Sequence, residues 1–218
     1  MGKTVNGAVS SPRGYDASGR RERAGRNRDR ILDAARVLFL AGGYGATTVV
    51  AIAAEAGVSA ETLYKKFGGK PGLVRAIYER SLLGSGASPA EQRSDAVQEE
   101  EPDPRVLVLR LGALVAEVAP EAGPVQGLIR DAAAAGDKDM ALLLDEVESS
   151  RYRRMLHNAA TLLARGILAP GLTAEKAADV MWAYTAPELY ENLVLKRGWT
   201  PQDLGVFVGS ALAAALLA

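Results

Sequence analysis

The most constraining feature of this 218-residue chain is a compact pattern over residues 31–73. Before a turn at Ala56-Gly57-Val58, apolar residues recur at helical spacing, as in Ile31, Ala35, Leu38 and Phe39. Gly57 permits the positive φ that ends one short helix and lets a second begin about a turn later. This spacing predicts a helix-turn-helix, a unit whose second helix enters the major groove of DNA.

Capping residues mark where these helices begin. Thr47 or Thr48 is expected to cap the helix that contains Ile52 and Ala53, because a hydroxyl accepts from the first free backbone N–H groups. Ser59 caps the next helix in the same way. A fourth helix is expected to open at Lys70-Pro71, where Gly69 provides no side-chain cap.

The full set of positions resembles the TetR family of bacterial transcriptional regulators, over roughly residues 28–78. The resemblance rests on Ile-x-x-Ala-Ala-x-x-Leu-Phe from Ile31, Gly43-Tyr44, Ile52-Ala53, Gly57-Val58-Ser59, Leu63-Tyr64-x-x-Phe67 and Lys70-x-x-Leu73. It implies an all-helical homodimer with an N-terminal DNA-binding domain and a larger C-terminal domain that binds an inducer. The expected partners are a double-stranded DNA operator, a second copy of the chain and a small apolar inducer.

Charge is divided unevenly along a chain whose net charge is zero. Residues 20–80 carry 12 Lys and Arg against 6 Asp and Glu, whereas residues 81–218 carry 12 against 19. Basic side chains that neutralise phosphates release condensed counterions, so the basic half favours a polyanionic partner. The acidic half is not expected to touch DNA.

Several classes of function are not expected. The chain has no cysteine, which excludes disulfides, thiolate metal sites and cysteine nucleophiles. His157 is the single histidine, and neither a Gly-x-Ser-x-Gly motif nor a phosphate-binding loop is present. We therefore expect no enzyme, no metal and no cofactor. Residues 1–19 lack a signal-peptide core, and the apolar C-terminal run is shorter than the ~20 residues of a membrane span, so a cytoplasmic protein without membrane contact is expected.

Helical patterning without strand-like alternation predicts an all-α fold. Composition and the resemblance together imply four parts: a disordered tail over residues 1–19, a helix-turn-helix domain over 20–80, a linker over 84–104 and a helical ligand-binding and dimerisation bundle over 105–218. The arginine-rich stretch 20–30 is either an arm that follows DNA or a solvated segment. Five helices are expected in the bundle, over residues 105–118, 124–135, 138–165, 174–197 and 201–217.

The resemblance also implies which residues meet DNA. Ala60, Glu61 and Thr62 correspond to base-facing positions, although Glu61 is equally consistent with a helix-dipole role alone. The remaining DNA-binding candidates are expected to contact the sugar-phosphate backbone of DNA. They are Thr47, Thr48, Ser59, Tyr64, Lys65, Lys66 and Lys70. Tyr64 is equally consistent with a core position. Val50 and Ala51 depart from the family pattern, which often has polar or charged residues there.

Pro187 interrupts an aromatic-rich helix and is expected to bend it beside a cavity. The candidate ligand-binding residues are Trp182, Tyr184 and Tyr190 from this segment, with Met140, Leu144, Met155 and His157 from the long helix before it. The alternative is that the aromatics are ordinary core or dimer residues.

The last two helices have apolar residues on more than one face, which predicts a face left over for a partner chain. The candidate interface is Leu189, Leu193, Phe207, Val208, Leu212 and Leu216, with Gly205, Gly209 and Ala213 permitting close approach of a partner helix. The resulting hypothesis is a homodimeric repressor of a palindromic operator that an inducer releases. The alternative is a helical small-molecule-binding or membrane-associated protein with a non-functional helix-turn-helix.

Overall fold

The computed structural model describes residues 17–86 and 88–217, with side chains from residue 25 onward. Every regular element in these ranges is helical, which confirms the all-α prediction. The elements are α1 (Ala17–Ala46), α2 (Val49–Glu55), α3 (Ala60–Phe67), α4 (Lys70–Ser81), α5 (Ala90–Glu100), α6 (Pro104–Ala134), α7 (Lys138–Ala164), α8 (Ala174–Tyr184), α9 (Pro187–Leu189) with a π-helical continuation (Tyr190–Lys196), and α10 (Pro201–Leu216).

Helices α1 to α4 enclose the N-terminal core that the apolar spacing predicts. Ile31, Phe39, Ile52, Leu63 and Leu73 are fully buried in it. Leu38 is only partly buried against this cluster. The three short helices each have little apolar surface of their own. Their packing on α1 therefore stabilises them more than helix propensity does.

The turn of the helix-turn-helix forms as predicted. Gly57 has a φ of 62°, and Val58 N donates to Ala53 O across the turn at 3.0 Å. Thr48 and Ser59 are the caps, and their hydroxyls accept from Ala51 N and Thr62 N. At the start of α4, Gly69 makes no side-chain capping bond, as its lack of a side chain predicts.

The segment predicted to be a linker over residues 84–104 contains the helix α5, so this prediction is wrong. Its polar composition conceals three buried positions at helical spacing, Ser94, Val97 and Gln98. Gln98 Nε2 donates to Asn158 Oδ1 of α7 at 3.0 Å, which gives a buried amide its partner. Contacts with α6 and α7, rather than propensity, hold this helix.

The predicted break between residues 118 and 124 is also absent, because α6 continues through Pro120 and Pro124. Proline removes a helical hydrogen bond, so the helix requires support from its neighbours at these positions. That support comes from both ends: Leu107 and Leu111 pack in the core of the C-terminal bundle, whereas Val125 and Ile129 pack against the N-terminal core. Helix α6 thereby joins the two domains.

One predicted helix, residues 174–197, is divided in two. Helix α8 ends at Tyr184, and Ala186 adopts an extended backbone with ψ of 135° before Pro187 begins α9. A residue before proline is disfavoured in the helical region, which explains the break. Helices α7 and α10 agree with their predicted bounds to within one residue at each end.

Gly205 and Gly209 of α10 face Gly112 of α6 in the same chain, so the prediction that they admit a partner helix is wrong. A Cβ on Gly112 would lie 2.4 Å from Gly205 O and 2.6 Å from Gly209 N. The two helices are thus in backbone contact, which only residues without a side chain permit.

The N-terminal boundary differs from the prediction as well. Residues 17–19, expected in a disordered tail, begin α1, and the arginine-rich stretch 20–30 continues the same helix. Residues 1–16 lie outside the described range. Within the described residues, none of the helices has the length and apolar character needed to cross a membrane.

Candidate functional site

The exposed face of α3 is the candidate nucleic-acid interface. Leu63 is buried beneath it, whereas Glu61, Lys65 and Lys66 are exposed. Ala60 and Thr62 are partly buried at the start of the helix. The Ser59 and Thr62 hydroxyls lie 2.9 Å apart, so each holds the other in place beside the free N-terminal backbone groups.

Thr47 is excluded from this surface. Its side chain is buried, and its hydroxyl donates to Gly43 O at 2.8 Å, with Leu38 O at 3.1 Å. The prediction that this side chain contacts DNA is therefore wrong, because its hydroxyl is already bonded to backbone carbonyls near the end of α1. Thr48 remains exposed at the start of α2.

Two aromatic residues shape the same surface. The Tyr64 side chain is 57% exposed, which removes the alternative that it is a core residue. The Lys70 ammonium lies 4.2 Å from the centroid of the buried Tyr44 ring, a cation–π contact that positions the lysine beside α3. Val50 is 70% exposed on α2, so an apolar side chain occupies a place where a polar contact was expected from the resemblance.

Basic residues of α1 extend this surface. The Arg28 guanidinium lies 6.0 Å from the Phe67 ring centroid, which places α1 beside the end of α3. Arg28 and Arg30 are exposed. The positive charge of Arg28 thus adjoins the exposed lysines of α3, an arrangement that attracts a phosphate backbone.

A cavity of about 190 Å³ lies inside the C-terminal bundle. Apolar side chains of α6, α8 and α10 form much of its wall. The residues lining it are Tyr78, Leu82, Ala90, Glu91, Ser94, Leu111, Leu114, Val115, Val118, Ala119, Ala122, Gly123, Gln126, Ser150, Arg151, Arg154, Met155, Asn158, Met181, Tyr184, Thr185, Ala186, Pro187, Leu189, Tyr190, Leu204 and Leu212.

Three of the seven candidate ligand-binding residues line this cavity: Met155, Tyr184 and Tyr190. The other four do not, so these predictions are wrong. Met140 and Leu144 pack with the N-terminal core because they lie at the other end of the long helix α7. His157 is exposed and faces Asp95, and Trp182 stacks under the Arg151 guanidinium.

Several lining residues had been missed. Arg151, Arg154 and Asn158 share a face of α7 with Met155, and helical spacing from Met155 would have found them. Ser94 and Glu91 come from α5, which was predicted to be a linker. No local sequence pattern predicts Ser94 and Glu91 as lining residues, because α5 is held by tertiary contacts.

The α7 wall of the cavity is held by ion pairs that reach outward. Arg151 Nη2 lies 2.7 Å from Glu148 Oε2, and Arg151 Nη1 donates to Trp182 O at 2.6 Å. Arg154 Nη2 lies 2.5 Å from Asp95 Oδ1, which His157 Nε2 approaches at 3.2 Å. The hydrogen bond from Arg154 holds the pKa of Asp95 below its usual value near 3.8.

Replacement of this carboxylate by the Asp95→Asn change is expected to lower the free energy of unfolding by about 1 kcal/mol at pH 7. The value is kept small because a side chain that is 42% exposed is screened by solvent. A lowered folded-state pKa stabilises the fold above the ordinary pKa, and this contribution is lost as the pH falls through the lowered value. The difference between wild type and variant in chemical denaturation should therefore shrink from about pH 5 to about pH 2. A constant difference would contradict this ion pair.

Helix α4 connects the two candidate sites. Lys70 at its start adjoins α3, and Tyr78 and Leu82 near its end line the cavity. Burial raises the pKa of Tyr78 to about 12, so its phenol stays protonated against the cavity. The side of α4 is also joined to α7 by an ion pair between Arg75 and Glu146.

A second connection runs from α1 to α6. Arg36 Nη2 lies 2.9 Å from Glu121 Oε2, and Arg36 Nη1 donates to the Glu121 carbonyl oxygen at 3.0 Å. Helix α6, which lines the cavity, is thus bonded to α1 of the N-terminal domain.

The structure corrects the candidate dimer interface. Val208, Leu212 and Leu216 are fully buried within the chain, so the prediction that they face a partner is wrong. Leu189 lines the cavity, and Leu193 is partly buried in the bundle core. Phe207 is 37% exposed and touches the Tyr184 and Trp199 rings. The outward face of α10 contains the exposed residues Val206, Phe207, Ser210 and Ala214.

An exposed helix-turn-helix that packs through α1 and α4 against a cavity-bearing bundle is the arrangement of a DNA-binding regulator with a separate effector domain. Residues 31–77 match the family described as bacterial regulatory proteins, tetR family. The match covers the helix-turn-helix region, so this part of the chain is similar to that family. Comparison of the whole chain with curated proteins gives no match.

Solved structures of low sequence identity share the fold. The SmeT–triclosan complex has a TM-score of 0.69 at 20% identity, covering 88% of this chain and 92% of that one. NalD, the secondary repressor of the MexAB-OprM multidrug efflux pump in Pseudomonas aeruginosa, has a TM-score of 0.67 at 19% identity and covers 90% and 98%. A proposed transcriptional regulator from Saccharomonospora viridis in complex with choline has a TM-score of 0.65 at 20% identity and covers 89% and 99%.

Proposed function

We propose that this chain is a ligand-responsive transcriptional repressor that binds a palindromic operator as a homodimer and leaves it when a small molecule occupies the bundle cavity. The observation that carries the proposal is the position of α4, which contributes Lys70 to the basic surface and Tyr78 and Leu82 to the cavity wall. The match of residues 31–77 to the tetR family supports it, as do proteins of the same fold solved with triclosan and with choline. An enzymatic role is not proposed, since the family consists of regulators.

On DNA, α3 would lie in the major groove. Ala60, Glu61 and Thr62 would meet base edges, with Glu61 able to accept from a cytosine amino group. Thr48, Ser59, Tyr64, Lys65, Lys66 and Lys70 would hold phosphates or the sugar-phosphate backbone, which sets the register of the complex. Because α1 is helical from Ala17, we propose that its arginine-rich beginning approaches DNA as a helix rather than as an extended arm.

The regulatory step would be a shift between two arrangements of the dimer. A palindromic site requires the two recognition helices to lie roughly 34–36 Å apart, one turn of DNA. A molecule that binds better to a cavity shape with another separation lowers operator affinity by its difference in affinity for the two arrangements. The alternative of a non-functional helix-turn-helix is not favoured, because Lys65 and Lys66 are exposed on α3.

Fluorescence anisotropy of the purified protein on a duplex from its own upstream region tests the proposal. The duplex is titrated at near-physiological salt with excess nonspecific competitor DNA. Tight, competitor-resistant binding of two chains per duplex is the expected result for a regulator acting in the cytoplasm on its own promoter. Binding that competitor or moderate salt abolishes on every duplex of the surrounding region would contradict the proposal.

A salt titration of the Lys66→Gln variant is expected to flatten the slope of log affinity against log salt by about one unit, because one phosphate contact is lost. Lys176→Gln is the matched control, since this exposed lysine lies on α8 in the bundle. The control should keep the wild-type slope. Equal slopes for wild type and Lys66→Gln would remove Lys66 from the interface.

A further inference from the structure

One face of helix α6 forms a wall of the cavity in the bundle. Leu111, Val115, Val118, Ala122 and Gln126 line the cavity and follow one another at intervals of three or four residues. Residues at this spacing share one face of a helix. The first four are apolar, whereas the side chain of Gln126 ends in an amide. Gln126 therefore continues an apolar face that is turned toward the cavity.

The amide of Gln126 is buried but has no partner in the described part of the chain. The residue is 8% exposed, and no described side chain or backbone group forms a hydrogen bond with its amide. The fully enclosed side-chain atoms that lack a partner belong to Arg93, Gln98, Arg151 and Arg154, so the amide of Gln126 retains accessible surface, which adjoins the cavity. A buried amide without a partner is costly, so a ligand that supplies one would be favoured here.

The charged side chains at the cavity already have partners or face solvent. Arg151 Nη2 lies 2.7 Å from Glu148 Oε2. Arg154 Nη2 lies 2.5 Å from Asp95 Oδ1. Glu91 is exposed, so solvent screens its carboxylate. An ion that entered the cavity would lose its hydration without a free counter-charge to replace it, so the cavity favours a neutral occupant.

We propose that the cavity binds a neutral, mainly apolar molecule with one amide-type group, and that Gln126 accepts a hydrogen bond from the N–H of this group and donates one to its carbonyl oxygen. This inference rests on the proposed function, because it names the class of effector for that same cavity. An amide has a donor beside an acceptor, which matches the side chain of Gln126. A carboxylate has acceptors alone and an ammonium has donors alone, so each leaves part of the Gln126 amide unpaired.

Binding of four probes with one benzene ring to the DNA-free protein tests the proposal. A cavity of about 150 Å³ is sufficient for benzene. The cavity of about 190 Å³ therefore has room for a ring with one small substituent. Isothermal titration with benzamide, benzoate, benzylamine and toluene is expected to rank benzamide first, about ten-fold or more above either ion. Either ion binding as tightly as benzamide, or no benzamide binding at millimolar concentration, would overturn the proposal.

Replacement of Gln126 connects this preference to its amide. Gln126→Met keeps an unbranched side chain of similar length and removes the amide. It should lower the ratio of benzamide affinity to toluene affinity about ten-fold, because both hydrogen bonds are lost. Gln92→Met is the matched control, since Gln92 is exposed on α5 and does not line this cavity. The control should keep the wild-type ratio, and an unchanged ratio in Gln126→Met would overturn the assignment.

Chemical denaturation of the ligand-free protein separates a binding role from a structural one. Because the amide of Gln126 has no partner among the described residues, Gln126→Met should keep the wild-type denaturation midpoint or raise it. A clear loss of stability in this variant would give Gln126 a structural role and overturn the proposal. DNA is absent from all of these experiments, so a failure here is separate from a failure of operator binding in the anisotropy experiment.

Discussion

The double variant Val206→Glu, Ala214→Glu is expected to be a monomer that binds its operator at least about 100-fold more weakly than the wild type. These two side chains lie on the outward face of α10, and Val206 is 66% exposed although it is apolar. We propose that this face is the centre of the dimer interface, where two added charges would meet their own copies across the two-fold axis, and like charges buried together are strongly unfavourable. A monomer contacts one half-site, so it loses the second half of the contacts.

Size-exclusion chromatography with light scattering measures the first effect, and anisotropy on the operator duplex measures the second. Leu142→Glu is the matched control, since Leu142 is an apolar residue of α7 that is 63% exposed. The control should remain a dimer and keep its operator affinity. A dimeric double variant would refute the outward face of α10 as the interface, while leaving the DNA-binding surface untouched.

The Gly112→Ala variant is expected to lower the free energy of unfolding by about 2–3 kcal/mol, the opposite of what helix propensity predicts. Alanine favours a helix over glycine by about 1 kcal/mol. At Gly112, however, the added Cβ would lie 2.4 Å from Gly205 O and 2.6 Å from Gly209 N. Both are backbone atoms that cannot rotate away, so α10 must shift from α6. Such overpacking typically costs roughly 1–3 kcal/mol.

Chemical denaturation at one fixed protein concentration measures this difference, because the stability of an oligomer depends on concentration. Gly45→Ala is the control, since a Cβ there would meet nothing within 4 Å. It should leave stability unchanged or raise it slightly. A Gly112→Ala protein as stable as the control would show that α6 and α10 do not approach as closely as the structure describes.

The DNA-reading unit could be predicted in detail because its signals are local. Gly57 at the turn, Ser59 as a cap and the buried spacing of Ile31, Ile52 and Leu63 act over a few residues each. Thr47 was assigned wrongly to the surface because nothing in its neighbours shows that its hydroxyl turns back toward Gly43 and Leu38.

For the C-terminal bundle, the sequence predicted the helical class but not how the helices pack. Polar composition concealed α5, and Pro120 and Pro124 suggested a break where packing at both ends keeps α6 continuous. Leu212 and Leu216 looked available to a partner because one sequence does not show which apolar face of a helix its own chain covers. The α7 wall of the cavity is held by contacts with α5 and α8, which are distant segments of the sequence.

The sequence by itself determined the helical class, the helix-turn-helix with its caps, and the division between a basic N-terminal part and an acidic remainder. These follow from spacing, charge and backbone preference, which act between neighbours along the chain. Only the tertiary structure decided which residues line the cavity, which glycines join α6 to α10 and which face of α10 stays exposed. Those outcomes depend on how helices distant in sequence compete to bury the same apolar surface, and that competition is resolved only when all of them pack together.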